Sequence, residues 1–395
     1  MYRKFTTEFI DLPDFNLKSM KKVNENWIAV LEPTPRSYIC PLCFKKSQNH
    51  ERKRTRTLCH RWIPSWGTLY VEVPVYRQRC NDCNITWGIT WQGIPERGKA
   101  TEPFKRIVVE YCHKKSIELA SKETGIPYST VERWYYDTDL EPLPDSHTHS
   151  SPEEICIDEF ALKKGHQYGL VLLDAKTGHV WQVSEGRSRK KIQYALEQWP
   201  FKQTPKVVVT DLAPGMSKTV RSIWPKANIV ADKFHVLQLL IRSLNNARKL
   251  SGRWATKHLN IRHQQRLLLS KPNQLSNHEL EQLSHWLEED KRLEGLYQAL
   301  QAFRRVYESP NREVAKRNFN LWIEHYYYHG PSVLKRISKT FLQWKTEILN
   351  YFTFRLTNAP IEGTNNLIKT IKRRAFGMRN LKRFAIRIRR ECKHP

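Results

Sequence analysis

The 395-residue sequence has no stretch near the eighteen or so uninterrupted apolar residues that a membrane-spanning helix needs. Its opening segment, MYRKFTTEFIDLPDF, sets Glu8, Asp11 and Asp14 where a secretory leader would carry its apolar core, so a cytoplasmic protein is expected. Acid is scarce: 39 Asp and Glu stand against 67 Lys and Arg, for a formal net charge of +28. An excess that large is costly to keep without a polyanionic partner, and it points to nucleic acid ahead of an anionic membrane. A disulfide framework is not indicated. Four of the eight cysteines stand in two CxxC pairs and the others (Cys59, Cys112, Cys156, Cys392) are scattered, a pattern of metal ligation in a reducing compartment. With 39% hydrophobic residues the chain is too apolar for a disordered tail protein. At about 100 to 200 residues per domain, its length predicts roughly two to four folded units.

Cys40-Pro-Leu-Cys43 and Cys80-Asn-Asp-Cys83 each have the gap that lets neighbouring sulfurs reach one tetrahedral Zn2+. The interval between them is long for a zinc site, but it holds the strand-like run Thr68 to Tyr76, so a ribbon with a long hairpin accommodates it. Cys59 and His60 could substitute as ligands or extend the site, although a lone Cys-His between strands is more often ordinary packing. Arg52, Lys53, Arg54, Arg56 and Arg61, then Trp62, Trp66, Arg77 and Arg79, interleave cations with flat rings, which suits phosphate contact. A solvated charged face explains the same pattern.

From Ser116, the run SIELASKETGIPYSTVERWYYD outlines a helix-turn-helix. Ile117, Leu119 and Ala120 supply one helical stripe and Gly125 breaks it; Ser129 or Thr130 can cap a second helix carrying Val131 and Trp134. Tyr128, Ser129, Thr130, Glu132 and Arg133 would then face a DNA groove. Glu141 to Pro152, rich in proline, reads as a linker.

The next part carries acids on apolar runs. Glu154 to Phe160 is a strand ending in Asp158 and Glu159, and a hairpin follows around Asp174 to Gly178. A helix is expected over Lys190 to Trp199, a buried strand from Lys206 to Asp211, a helix over Gly215 to Trp224, and a third buried run ending at Asp232. This order predicts a mixed sheet with helices packed on it. An acid closing an apolar strand does no packing, and oxygen ligands of this kind hold Mg2+ or Mn2+. Residues 251–345 have helical leucine spacing and read as an inserted all-helical block, with the cluster Trp322 to Tyr328 in packing. In Thr357 to Arg374, Thr357 or Asn358 can cap a helix on which Glu362, Asn366, Lys369 and Arg373 share one face, an acid followed by cations.

Several of these motifs together resemble the ISL3 family of bacterial insertion-sequence transposases. They are the two CxxC pairs, the helix-turn-helix, Asp158-Glu159-Phe160 with Lys163-Lys164-Gly165, Thr210-Asp211, Asp232-Lys233-Phe234-His235-Val236, Ile361-Glu362-Gly363-Thr364-Asn365-Asn366 and Lys372-Arg373-Arg374-Ala375-Phe376-Gly377. The resemblance implies an α/β ribonuclease H-like catalytic domain with an all-helical insertion, preceded by a zinc-ribbon-like module and a helix-turn-helix. It implies a DDE triad of Asp158, Asp211 and Glu362 holding two Mg2+ or Mn2+ ions, with Asp232, His235 and Asn366 in support. Spacing alone leaves Asp158 and Glu159 both open; the family pattern favours Asp158. Lys369, Lys372, Arg373 and Arg374 would hold phosphates.

The expected organisation is a zinc-binding module over residues 1–98, the helix-turn-helix and linker over 99–150, a catalytic domain over 151–250, the helical insertion over 251–345, and the catalytic helix with its basic tail over 346–395. The expected partner is double-stranded DNA, both transposon ends and target. It would be engaged by a homodimer or larger assembly in a bacterial, nucleoid-associated setting, with no membrane and no small-molecule substrate. The competing expectation is a sequence-specific DNA-binding regulator whose ribonuclease H-like domain is catalytically silent.

Overall fold

Packing divides the chain into two units, residues 1–143 with 373–377 and residues 144–372 with 378–395. The computed structural model describes residues 9–35, 37–47, 49–113, 115–137, 149–163, 167–251, 260–375 and 380–392, the side chains of 49–53, 214 and 251 excepted.

In the first unit, β1 (Phe15–Val23), β2 (Asn26–Pro33), β3 (Asn49–Ile63), β4 (Gly67–Cys80) and β5 (Ile85–Gly88) form a sheet of order β1-β2-β4-β3, with β5 also paired to β4. Alternate residues Leu69, Val71 and Val73 of β4 turn inward against Ala29, Leu31, Leu58 and Trp91. The strand read at Thr68 to Tyr76 is therefore longer than expected, and its partner β3 is the basic run itself. Arg54-Thr55-Arg56-Thr57 has a strand's period without an apolar signal.

Three helices follow, α1 (Glu102–His113), α2 (Ile117–Thr124) and α3 (Tyr128–Tyr136). Ser116 caps α2 by accepting the Leu119 N–H at 3.0 Å, and Gly125 ends it in the left-handed region at φ 69°. Phe104, Val108, Ile117, Ala120, Val131 and Trp134 close the core, whereas Leu119, expected in the stripe, is exposed. Ser129 and Thr130 do not cap the last helix. It begins at Tyr128 after Pro127, which places both in its first turn. Most of the expected linker, residues 141–148 of 141–152, lies outside the described residues.

The second unit holds β6 (Glu154–Lys163), β7 (Gln167–Asp174), β8 (Val180–Glu185), α4 (Arg189–Glu197), β9 (Val207–Thr210), α5 (Pro214–Ile223), β10 (Asn228–Ala231) and α6 (Lys233–Ser251) in the expected order. Its sheet runs β10-β9-β6-β7-β8. The last three strands form an antiparallel meander, and β9 and β10 continue the sheet in parallel with β6. The helical block comprises α7 (Ile261–Leu269), α8 (Asn277–Glu289), α9 (Lys291–Tyr307), α10 (Arg312–Tyr328) and α11 (Ser332–Gln343). It packs with α6 and with α12 (Lys345–Phe354) around Phe303, whose ring lies 4.4 Å from Phe341 and 5.0 Å from Trp322. Trp322 is buried as packing requires, but Tyr328 at the end of its cluster is exposed.

The chain closes with α13 (Ala359–Arg374) and α14 (Leu381–Glu391). Strand alternation gives the sheet two apolar faces. Ile155, Ile157, Leu170 and Leu172 pack against α4 and α5. Cys156, Val171, Val209 and Val230 pack against Ile361 and Ile368 of α13 and Phe384 and Ile388 of α14. Among the described residues no helix is long and apolar enough to cross a membrane.

Candidate active site and metal centre

β6 and β9 pair only over Glu154–Cys156 and Val207–Val209, after which β9 stops at Thr210 and β6 runs on to Lys163. Asp158 is therefore in the middle of its strand, not at the end expected from the sequence, because the antiparallel partner β7 carries the ladder onward past Asp158. Continuing the parallel register brings Asp158 level with Asp211, the residue directly after β9. Asp232 follows β10 in the same way.

Neighbours on a strand point to opposite faces, and this separates the two acids. Asp158 lies on the face of Cys156 and Phe160, towards α13. Glu159 lies on the face of Ile155 and Ile157, where its Oε2 is 3.3 Å from Arg187 Nε. Asp158 Oδ1 accepts the Glu159 N–H at 2.7 Å, and Oδ2 accepts Asn365 Nδ2 at 2.8 Å. Burial pushes the Asp158 carboxyl up to about 6, with the charges of Asp211 and Asp232 adding to the shift and His235 opposing it. Glu159 is pushed up to about 7, first by burial. Asp211 is half-buried and accepts the Ala213 N–H at 3.1 Å.

Asp232 is 3% exposed and fully engaged. Its Oδ2 takes His235 Nδ1 at 2.8 Å and its Oδ1 takes the Asn358 N–H at 3.2 Å, so it joins the start of α6 to the start of α13. That bond raises the His235 pKa above its ordinary value. Glu362 sits exposed in the first turn of α13. Asp158, Asp232, His235, Glu362, Asn365 and Lys369 line one cavity of about 450 Å³, which Asn366 also borders. Asp211 is outside its lining and acts on it through the field felt by Asp158 and His235. Asp158, Asp211 and Glu362 do not gather their oxygens within 4.8 Å of one another. The set is nonetheless chemically suited to hard divalent cations, because it offers oxygen donors only.

The sequence reading leaves Asn365 without a role. Its helical position was a signal, since Asn358, Glu362 and Asn365 recur at four and three residues on one stripe.

The expected cations are used differently from one another. Lys369 and Arg373 are exposed, and Lys369 Nζ is 3.3 Å from Asn366 Oδ1. Lys372, expected to hold phosphate, instead donates to the carbonyls of Ala161 and Leu162 and fastens α13 to β6. Within the first unit, Arg374 donates to the His113 carbonyl at 3.1 Å. Arg56 is likewise committed, to the carbonyls of Pro95 at 2.7 Å and Gly98 at 2.9 Å, while Arg54 is exposed. The side chains of Arg52 and Lys53 lie outside the described residues. Ser129 and Arg133 are exposed on α3 and Thr130 is half-buried.

The four sulfurs of Cys40, Cys43, Cys80 and Cys83 lie within 4.8 Å of one another, the single such group among the described residues. Cys43 and Cys80 are 3.6 Å apart, close to the about 3.8 Å that tetrahedral Zn–S bonds near 2.3 Å impose. Contact with Cys43 first, then burial and the other thiols, pushes Cys83 up to about 12. Crowded thiols of this kind ionise together only around a cation. Lys45 and Asp82 pair across the two knuckles at 2.8 Å. Cys59 and His60, open as ligands from the sequence, stay apart from this group. His60 is fully buried with Nδ1 2.9 Å from Thr101 Oγ1, and burial lowers its pKa to about 4.

A transposase family model, that of the ISL3 DDE transposases, matches residues 155–388, a span from the start of β6 into α14. Over 370 residues the chain is 25% identical to the transposase for insertion sequence element IS1001 of Bordetella parapertussis, covering 91% of this chain and 90% of that protein. With more than half of its length matched by the model, the chain belongs to the ISL3 family of transposases.

Proposed function

We propose that this chain is a DDE transposase that binds the terminal inverted repeats of an insertion sequence and cleaves and joins DNA strands with two divalent ions. The observation that carries the reading is the cavity in which α13 brings Glu362 to the face of β6 that bears Asp158. An antiparallel meander extended by two parallel strands, with acids in β6 and after β9, supports a ribonuclease H-like fold. Asp158, Asp211 and Glu362 would hold Mg2+ or Mn2+, and the ions when bound would supply Lewis-acid stabilisation of the attacking and leaving oxygens.

Burial of Asp158 limits the screening of its charge by water, and Asp232 ties the start of α13 to the start of α6. Lys369 and Arg373, the exposed cations of that helix, would hold phosphates. Hydrolysis forms a bond from water to phosphorus and releases a 3′-hydroxyl. Joining forms a bond from that hydroxyl to a target phosphorus and releases a new 3′-hydroxyl. Neither step needs a covalent protein–DNA bond. Zn2+ on the four cysteines would hold the amino-terminal module, and α2 with α3, presenting Ser129 and Arg133, would read the repeats as a helix-turn-helix. Bringing two ends together calls for a dimer or larger assembly.

The test is cleavage of a DNA fragment carrying the inverted repeats in Mg2+, for wild type and Asp211→Asn. Cuts at the repeat ends that vanish in the variant are expected. Repeat-specific binding with no cut in Mg2+ or Mn2+ would replace this reading with that of a DNA-binding regulator.

A further inference from the structure

Glu362 lies between two fastenings on its own face of α13. Four residues before it, the Asn358 N–H reaches Asp232 Oδ1 at 3.2 Å; three residues after it, Asn365 Nδ2 reaches Asp158 Oδ2 at 2.8 Å. Positions at such spacings share one helical stripe, so the helix is tied to the sheet two turns apart, with its acid in the middle. The other Asp158 oxygen is held by the Glu159 N–H at 2.7 Å. Each oxygen of that carboxylate therefore has one fixed donor and keeps its remaining lone pairs free, and the carboxylate plane cannot rotate without breaking a bond. Of the two ends of the Asn365 amide only the nitrogen can donate to a carboxylate, which fixes the orientation of that amide as well. Among the described residues its buried Oδ1 has no hydrogen-bond partner, so the bond from Nδ2 to Asp158 is the one that sets how the amide lies.

We propose that Asn365 is the positioning residue of the site: it orients Asp158 and sets the register of Glu362, and so sets the affinity of the pair for a divalent cation. The inference rests on the reading of Asp158 and Glu362 as cation ligands. The bland alternative is a pin that holds α13 to the sheet and nothing more. A pin changes stability; a positioning residue also changes the response to cation.

The full chain is melted across a series of Mg2+ and Mn2+ concentrations, with repeat-end cleavage read at the same concentrations. Asn365→Leu removes the donor at similar volume, and Ile368→Val weakens the same helix without touching Asp158. Loss of a group that orients a metal ligand typically costs about 10- to 100-fold in metal affinity. Asn365→Leu is expected to need roughly that much more cation for half of the rise in melting temperature and for half-maximal cleavage, while Ile368→Val melts lower with an unchanged half-point. An Asn365→Leu half-point equal to that of wild type overturns the inference and leaves the pin. Wild type that responds to neither cation overturns the ligand reading and the inference together. Should Asn365→Leu not fold, Asn365→Asp gives the same decision: a second carboxylate against Asp158 should melt lower without cation and gain more from it than wild type does, and an equal gain overturns the inference.

Discussion

Asp158 is held in surroundings that disfavour its charge. Ordinary carboxyls titrate near 4, and burial pushes this one up to about 6. An acid raised in the folded state gains protons on folding, so its penalty is absent in acid and grows as pH rises from about 4 through 6. Glu159, raised in the same way to about 7, extends the window upward. His235 acts in the same direction: its pKa is raised by Asp232, so the stability it contributes is present below its ordinary value and is lost as the ring deprotonates. Without divalent cation, Asp158→Asn should therefore melt above wild type at pH 8, and the gap should close as the pH falls towards 5. Equal melting at pH 8 would contradict a burial penalty at this carboxylate.

At this scale the sequence was only partly readable. Spacing alone offered Asp158 and Glu159 as equals, with the family resemblance favouring Asp158, and strand alternation puts the two on opposite faces of the sheet. Asn365 lay in plain view in a motif, but its partner is 207 residues away in the chain, a distance that local spacing cannot bridge.

Among the elements, those carrying acids were legible because β6, β9 and β10 are buried runs that announce themselves by composition, with turn signals between them. In the first unit β1 buries one residue of nine, so no alternation marks it, and β3 hides its period in arginine and threonine. The limit of Asp158 within β6 was missed for a related reason: the antiparallel partner, not the apolar run, sets where that strand ends. The sheet face beneath α14 makes its own prediction. A Cβ at Gly169 would meet Phe160 Cζ at 2.4 Å, and Phe160 packs edge-on to Phe384 with ring centroids 6.2 Å apart. Gly169→Ala must displace that ring, at a cost of about 1–3 kcal/mol. Urea unfolding would measure it, and a loss below about 0.5 kcal/mol would mean that the ring moves freely.

For the whole molecule, the separation into two units predicts separable stability. The first holds four cysteines within 4.8 Å of one another and two apolar clusters, and the second a sheet covered on both faces; on the zinc reading proposed above, the first needs its metal and the second does not. Replacing Cys80 by Ser should cost the first unit its cooperative melting while the transition of the second survives, giving two calorimetric events where metal-loaded wild type melts at higher temperature overall. Loss of both transitions together would show that the units fold as one. The charge of +28 was the first thing read from the sequence, yet the structure distributes its uses: Arg56 and Lys372 serve backbone carbonyls, while Lys369, Arg133 and Arg54 remain at the surface.

The cavity around Asp158 is assembled from three segments far apart in the chain: β6, the start of α6 at Asp232 to Leu237, and residues 357–369. Its strand wall is made early in synthesis, but Thr357, Asn358, Glu362, Asn365 and Lys369 come from the last helices. A ribosome has laid down the cysteines, the helices α1 to α3 and the whole sheet before it reaches the residue that turns Asp158 into place. A chain stopped just before residue 357 would thus carry the first sheet and α1 to α3 with an unfinished cavity, and on the function proposed above it would occupy the repeats without cutting them.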